Sequence, residues 1–238
     1  MRLDVFLTQN NYVETRTRAK NLIELERVFV NNKAITKASF DVTESDKIEI
    51  SEDYDASLGS LKLTKAIEDF HLDINNKTCL DVGASNGGFT EILLKNGASI
   101  VYALDIGECA LPDRLKNDPR VIVKDRTNAR YITKGDFDHD INLCSVDVSF
   151  ISLKLILPAL KDTLGSNGEV IALIKPQFEL DKKVLPKSGV IKNPTLQQKV
   201  IDDISLFSKN LGFHVKGVTT APHPFKDKNQ EYLIHLVL

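Results

Sequence analysis

The feature that most constrains the fold is a glycine-rich turn between an apolar run and a helical pattern, in the stretch TCLDVGASNGGFTEILL of residues 78–94. The apolar run ends near Asp81, three glycines follow, and Phe89, Ile92 and Leu93 then recur at helical spacing. This order predicts a strand, a tight loop and a helix. Such a loop is a usual place for a nucleotide-like ligand.

Strand and helix patterns alternate on both sides of this loop, from residue 60 to the C-terminus. The strand-like runs SIVYALD, RVIVK, NLCSVDV and EVIALIK are separated by helical patterns, and FHVKGVTT and EYLIHLVL come last. This alternation predicts the α/β class, with a doubly wound Rossmann-like sheet that has an antiparallel end. Ligands of such sheets bind at the carboxyl ends of the strands. Four residues are expected at these ends: Gly83, Asp105, Asp125 and Asp147.

Composition limits the other classes of protein. With 238 residues and 42% hydrophobic content, the chain can form one large domain and a small one. A net charge of -2 excludes binding to a polyanion through bulk charge, so any RNA contact must use a local basic patch. We expect a cytoplasmic protein with free cysteines, since there is no signal peptide, membrane segment or paired-cysteine motif. The scattered histidines predict no metal site.

The first 50 residues have a different pattern, typical of a small α+β domain. Two short helical patterns precede RVFVNNKAI, which predicts a hairpin around Asn31 and Asn32, and KIEI adds a strand. From Glu14 to Lys37 the stretch holds six basic residues and three acidic ones. These basic residues either contact nucleic-acid phosphates or form an ordinary solvated helix face.

The order of these elements resembles the S-four RNA-binding domain. The resemblance rests on Arg2-Leu3-Asp4, on Thr15-Arg16 before the second helix, and on the hairpin VFVNN. It implies RNA binding by residues 1–50. Residues 51–59, SEDYDASLG, are acidic, small and aperiodic and predict a linker, so that residues 60–238 form the large domain. The candidate RNA-binding residues are Arg2, Arg16, Arg18, Lys20, Arg27 and Lys33.

The glycine loop suits S-adenosylmethionine better than a dinucleotide. Its spacing, D-x-G-x-x-x-G-G, differs from the G-x-G-x-x-G that seats a pyrophosphate, and S-adenosylmethionine has no phosphates. Asp105 follows about twenty residues later, where a carboxylate can accept both ribose hydroxyls. The alternative is an ordinary strand-to-helix turn with a flanking Asp. The candidate cofactor-binding residues are Gly83, Ala84, Ser85, Gly87, Gly88, Phe89, Asp105 and Asp125.

Four charged residues stand among apolar or strand-like neighbours: Lys62, Asp147, Lys175 and Glu231. If Lys175 ends a buried strand beside Asp147, its desolvated amine can have a pKa low enough to accept the proton of a ribose 2′-hydroxyl. Lys62 and Glu231 would then set the electrostatics around it. The alternative for each charge is a structural ion pair.

Several blocks along the whole chain resemble the TlyA-type, or hemolysin A-like, ribosomal RNA 2′-O-methyltransferases, whose catalytic half is similar to the FtsJ type. These blocks are DVGASNGGFT, NDPRV, RTNARY, DVSFISLKLILPAL, IKPQFE and NQEYLIHL. The resemblance implies a catalytic tetrad of Lys62, Asp147, Lys175 and Glu231. It also implies S-adenosylmethionine as methyl donor, and ribosomal RNA or a ribosomal subunit as partner, with cytidine 2′-OH as acceptor. The chain departs from the family pattern at Leu58 in the linker and at DIGECAL after Asp105.

Two other functions stay open on the sequence. A membrane-lytic protein is suggested by the hemolysin label of the family, although no apolar segment supports insertion. An RNA-binding regulator that has lost activity is the second alternative. A basic loop after the Lys175 strand, with Lys182, Lys183, Lys187 and Lys192, either covers the substrate or only aids solubility.

Overall fold

The computed structural model describes residues 1–13, 15–24, 26–51, 58–181, 183–186, 188–222 and 228–238, with the backbone alone for Thr17 and Leu58. Within these residues the chain divides into two compact units, Met1–Leu58 and Gly59–Leu238. Most of the predicted linker lies outside the described residues, as do Lys182 and Lys187 of the basic loop.

The first unit is a three-stranded antiparallel sheet with two helices. Its elements are α1 (Leu3–Gln9), α2 (Arg16–Glu24), β1 (Val28–Val30), β2 (Lys33–Ala34) and β3 (Ile48–Ile50). The strand order is β2-β1-β3. Asn31 and Asn32 have φ angles of 50° and 64°, as the predicted tight hairpin requires. Apolar side chains of both helices and of β1 form the core, with Leu3, Leu7 and Ile23 fully buried.

The second unit alternates helices with strands before an antiparallel end. Its helices are α3 (Leu58–Phe70), α4 (Gly88–Lys95), α5 (Asp113–Lys116), α6 (Leu157–Thr163), α7 (Pro176–Glu179) and α8 (Pro194–Leu211), with short 3-10 turns at Lys134–Asp136 and Leu153–Leu155. Its strands are β4 (Thr78–Val82), β5 (Ile100–Leu104), β6 (Val121–Lys124), β7 (Ile141–Val146), β8 (Leu164–Ile174), β9 (His214–Thr220) and β10 (Tyr232–Val237). Because α3 already begins at Leu58, the last two residues of the predicted linker are helical.

One seven-stranded sheet organises this unit, in the order β6-β5-β4-β7-β8-β10-β9. The pairs from β6 to β8 are parallel, while β10 runs antiparallel to both β8 and β9. The predicted doubly wound α/β class with an antiparallel end is therefore confirmed. The strand order reverses between β4 and β7, so a crevice opens there at the carboxyl ends of the strands.

Alternation along the central strands supplies a core on each face of the sheet. On β4, Leu80 and Val82 belong to the core under α6 and α8, whereas Cys79 belongs to the core under α3 and α4. All three cysteines are buried and free. No helix among the described residues is both long enough and apolar enough to cross a bilayer.

Candidate active site

The glycine loop connects the end of β4 to the start of α4. Gly83 has a φ of +84°, and a Cβ atom there would lie 2.4 Å from the carbonyl oxygen of Asp147. Only glycine therefore lets the loop pass so close to the end of β7. The backbone N–H of Ser85 donates to Oδ2 of Asp105 at 3.0 Å, which ties the loop to the end of β5.

A cavity of about 800 Å³ opens at this edge of the sheet, within the range usual for small-molecule sites. At one side it is lined by Gly83, Ser85 and Asp105, from the ends of β4 and β5. At the other side it is lined by the segment that follows β7, from Asp147 to Ser152. The cavity thus lies at the point where the strand order reverses.

A cluster of four charged side chains adjoins the cavity. Lys62 of α3 donates to Oε2 of Glu231 at 2.7 Å, and its Nζ lies 3.6 Å from Oδ2 of Asp147. Nζ of Lys175, at the end of β8, lies 2.5 Å from Oδ1 of Asp147. Asp147 therefore bridges the two lysines. Because Asp147 also lines the cavity, it joins the cluster to the ligand space.

Burial and charge act in opposite directions on Lys62. Desolvation lowers its pKa, but the nearby carboxylates of Asp147 and Glu231 raise it, and the net result is a pKa above the ordinary lysine value. Lys62 therefore stays a cation at neutral pH. Lys175 is only 8% exposed, and its Nζ also contacts Oγ of Ser149 at 3.1 Å. The Lys175 amine is thus buried and held on two sides.

The candidate cofactor residues are placed unevenly. Gly83, Ser85 and Asp105 line the cavity, but Phe89 is 4% exposed and packs in the apolar core of the unit. Gly87 has a φ of +84° and caps α4, with Leu111 and Leu115 covering it. The Asp125 carboxylate accepts a hydrogen bond from the backbone N–H of Cys109 at 2.6 Å. Of the eight candidates, three thus line the cavity, whereas Ala84, Gly87, Gly88, Phe89 and Asp125 do not.

In the first unit, two of the candidate RNA-binding arginines share one buried partner. Asp4 is 0% exposed, and its carboxylate accepts hydrogen bonds from Nε of Arg2 at 2.9 Å and from Nε of Arg16 at 2.8 Å. Hydrogen bonds from Arg2 outweigh burial and, together with Arg16, lower the pKa of Asp4 to about 2. Lys20 and Lys33 are exposed, and Arg18 and Arg27 are partly buried.

Sequence reasoning missed an aromatic pair at the cavity. Phe150 is 90% exposed with a φ of +66°, and its ring centroid lies 5.0 Å from that of Phe178. Both residues line the cavity. The sequence does contain SFIS and KPQFE, but a phenylalanine in an apolar run normally predicts a core residue.

Among the described residues, no group of three or more His, Cys, Asp or Glu side chains could hold a metal ion.

Comparison with known proteins assigns both units. Residues 56–238 match the model of the FtsJ-like methyltransferase family, and residues 1–48 match the S4 domain. Hemolysin A of Brachyspira hyodysenteriae is 37% identical over 100% of this chain and 100% of its own length. The 16S/23S rRNA (cytidine-2′-O)-methyltransferase TlyA of Mycobacterium tuberculosis is 35% identical over 99% of this chain and 89% of its own.

A solved structure supports the same assignment. A protein of Streptococcus thermophilus, described as a hemolysin, superposes with a TM-score of 0.78 at 36% identity, covering 100% of this chain and 88% of that one. The likeness thus includes both units. The chain belongs to the FtsJ-like methyltransferase family, and within it to the group that contains TlyA and hemolysin A.

Proposed function

We propose that the protein transfers a methyl group from S-adenosylmethionine to the 2′-hydroxyl of a cytidine in ribosomal RNA, in the cytoplasm. The observation that carries the proposal is the cluster of Lys62, Asp147, Lys175 and Glu231 beside the cavity. A buried amine between a carboxylate and a hydroxyl suits the removal of a proton from a poor nucleophile. The relatives named as rRNA methyltransferases support the same acceptor.

The residues around the cavity fit S-adenosylmethionine. Gly83 lines the cavity, and the lack of a Cβ lets its loop pack against the backbone of Asp147 at the end of β7. Each carboxylate oxygen of Asp105 accepts one backbone N–H, from Ser85 and from Gly107, and a carboxylate has further lone pairs for two ribose hydroxyls. S-adenosylmethionine, when bound, supplies an electrophilic methyl group on a sulfonium.

Lys175 then acts as the general base. Its Nζ would take the proton of the 2′-hydroxyl as that oxygen bonds to the methyl carbon and the carbon–sulfur bond of the sulfonium breaks, leaving a thioether. Asp147 holds Nζ in place, and Lys62 holds Asp147 from the other side. The Asp147 carboxylate, which lines the cavity, would complement a sulfonium cation.

The acceptor nucleotide needs a surface for its base. Phe150 and Phe178 provide an exposed aromatic pair at the cavity, and aromatic side chains bind unstacked bases with about 1–3 kcal/mol per base. The basic residues of the first unit would contact RNA phosphates elsewhere on the same molecule. Of these, Lys20, Lys33, Arg2 and Arg16 are all exposed, although Arg2 and Arg16 are also bonded to Asp4.

Replacing Lys175 tests the base directly. We expect Lys175→Arg to lower the transfer of tritiated methyl to unmodified ribosomal subunits by at least about 100-fold, because an arginine stays protonated and cannot accept the proton. RNA binding should stay within about twofold of wild type, since neither the first unit nor the aromatic pair is changed. Nuclease digestion and mass spectrometry of the wild-type product should find 2′-O-methylcytidine.

A matched control uses a lysine with a structural contact. Nζ of Lys161 donates to the carbonyl oxygen of Leu211 at 2.6 Å, so Lys161→Arg should keep most of the activity. If Lys175→Arg also kept it, Lys175 would be a structural cation and the assignment of the base would fail. If wild-type protein methylated no ribosomal subunit, the proposed substrate itself would be wrong.

Membrane lysis is a second candidate because one relative is named hemolysin A. Leakage of dye from phospholipid vesicles, equal for wild type and Lys175→Arg, would favour it. Methyl transfer without leakage would exclude it.

A further inference from the structure

We propose that Glu179 is a positioning residue: it holds the segment that carries Phe150, so that the Phe150 ring can stack on the base of the acceptor nucleotide. The proposal rests on the proposed function and adds to it the residue that sets where the base can stack. Its starting point is the segment of residues 149–153, which follows Asp147 and carries Phe150 along the cavity wall.

The backbone of this segment needs external support. Phe150 has a φ of +66°, a left-handed conformation that is unfavourable for a bulky side chain. Such a residue persists only where the surrounding structure fixes it. Its ring is 90% exposed, so packing of the side chain supplies little of that support. The fixed points must therefore lie on either side of Phe150 in the chain.

Glu179 provides the fixed point that follows Phe150. The Ser152 hydroxyl donates to Oε2 of Glu179 at 2.5 Å, and the backbone N–H of Leu153 donates to Oε1 at 2.8 Å. Both carboxylate oxygens are thus used on one short segment. The backbone N–H of Lys154 also reaches the Ser152 hydroxyl at 3.2 Å, so the turn after Phe150 is closed around the carboxylate.

Lys175 provides the fixed point that precedes Phe150, through Oγ of Ser149 at 3.1 Å. Lys175 and Glu179 come from the same short block, KPQFE, which also carries Phe178. This block therefore contains Lys175, the proposed general base, and Phe178, one ring of the aromatic pair. It also contains both residues that anchor the segment carrying Phe150. A shift of Glu179 would move Phe150 relative to Phe178 and to the Lys175 amine.

The experiment measures methyl transfer to unmodified ribosomal subunits by wild type, Glu179→Ala and Glu179→Gln. We expect Glu179→Ala to raise the KM for subunits about tenfold, because a base-stacking contact is misplaced, while the Kd for S-adenosylmethionine in calorimetry changes less than about twofold. Glu179→Gln should have a KM for subunits close to that of wild type. Its amide oxygen can accept from Leu153, and its NH₂ can donate to the Ser152 hydroxyl.

A control variant separates positioning from general loss of stability. The Glu169 carboxylate also has two partners, Lys77 and His235, but it lies in the middle of β8 and does not line the cavity. Glu169→Ala should lower the melting temperature and leave the KM for subunits unchanged. If Glu179→Ala behaved in the same way, Glu179 would be structural only and the proposal would be overturned.

A double-mutant cycle gives the second readout. Ser152→Ala and Glu179→Ala should change KM by less in combination than the product of their separate effects, since they break the same contact. Multiplicative effects would overturn the proposal. Wild-type protein without activity would refute the proposed function, whereas active wild type with an unchanged Glu179→Ala would refute this inference alone.

Discussion

Replacing Asp81 with asparagine is expected to remove a pH dependence from the stability of the second unit. Asp81 lies on β4 directly before the glycine loop, and it is fully buried. Its carboxyl accepts hydrogen bonds from the hydroxyls of Thr90, in α4, at 2.7 Å and of Ser145, in β7, at 3.1 Å. The residue thus joins three elements beneath the cavity.

Burial raises the pKa of Asp81 from 3.8 to about 6, although the two hydroxyl bonds oppose this shift. A raised pKa means that the fold favours the protonated carboxyl. The stabilisation is complete below about pH 4 and is lost as the pH rises to about 6. A shift of about two pKa units corresponds to about 3 kcal/mol, at roughly 1.4 kcal/mol per unit.

Asparagine has nearly the same shape and does not ionise. Its amide oxygen can accept from one hydroxyl and its NH₂ can donate to the other, so most of the local contacts can persist. We therefore expect the free energy of unfolding of Asp81→Asn, relative to wild type, to rise by about 3 kcal/mol between pH 4 and pH 8.

The cysteines give a readout confined to this unit. Cys79, Cys109 and Cys144 are all buried and all lie in the second unit. Urea unfolding can be followed at each pH by brief labelling with 4,4′-dithiodipyridine, which reacts with thiols in acid as well. Asp162→Asn, at an exposed carboxylate, is the control. Its free energy of unfolding relative to wild type should change by less than about 0.5 kcal/mol between pH 4 and pH 8.

If the free energies of unfolding of wild type and Asp81→Asn differed by the same amount from pH 4 to pH 8, the reasoning would be refuted. It would mean that Asp81 has the same proton affinity in the folded and unfolded chain, and that burial is fully offset by Thr90 and Ser145. A change of the opposite sign would mean that the fold favours the carboxylate.

Two further changes test the ligand loop and the RNA surface. Gly83→Ala places a methyl 2.4 Å from the carbonyl oxygen of Asp147 at a φ of +84°, so we expect destabilisation of more than about 2 kcal/mol and loss of S-adenosylmethionine binding in calorimetry. An unchanged melting temperature would contradict this. Replacing Lys20 and Lys33 with alanine should lower the magnitude of the salt slope of RNA binding by about one for each lysine. An unchanged slope would remove both from the RNA surface.

The elements themselves were predictable because their signals are local. A period of two in the strands and a helical period between them predicted the order of elements in both units, and the Asn31-Asn32 turn has the positive φ values expected. Parallel strands end at one edge of a sheet, which is why Gly83 and Asp147 could be expected near each other before their contact was known.

Side-chain surroundings were less predictable, and three examples show why. Phe89 follows the glycine loop directly, yet helical geometry turns it into the core. Arg2 and Arg16 belong to a basic surface in the sequence, yet a buried Asp4 holds both. Helix α3 begins at Leu58, within the predicted linker, because the small and polar residues of that segment do not by themselves stop a helix.

The sequence by itself determined the two-unit pattern, the order of helices and strands, and the chemical types that could meet at the sheet edge. These follow from hydrophobic periodicity and turn chemistry, which act between residues that are close in the chain. Only the tertiary structure decided which groups touch. Lys62 meets Glu231 across 169 positions, and Glu179 reaches back 27 positions to Ser152. Such contacts depend on how remote elements pack, and a local pattern does not encode that packing.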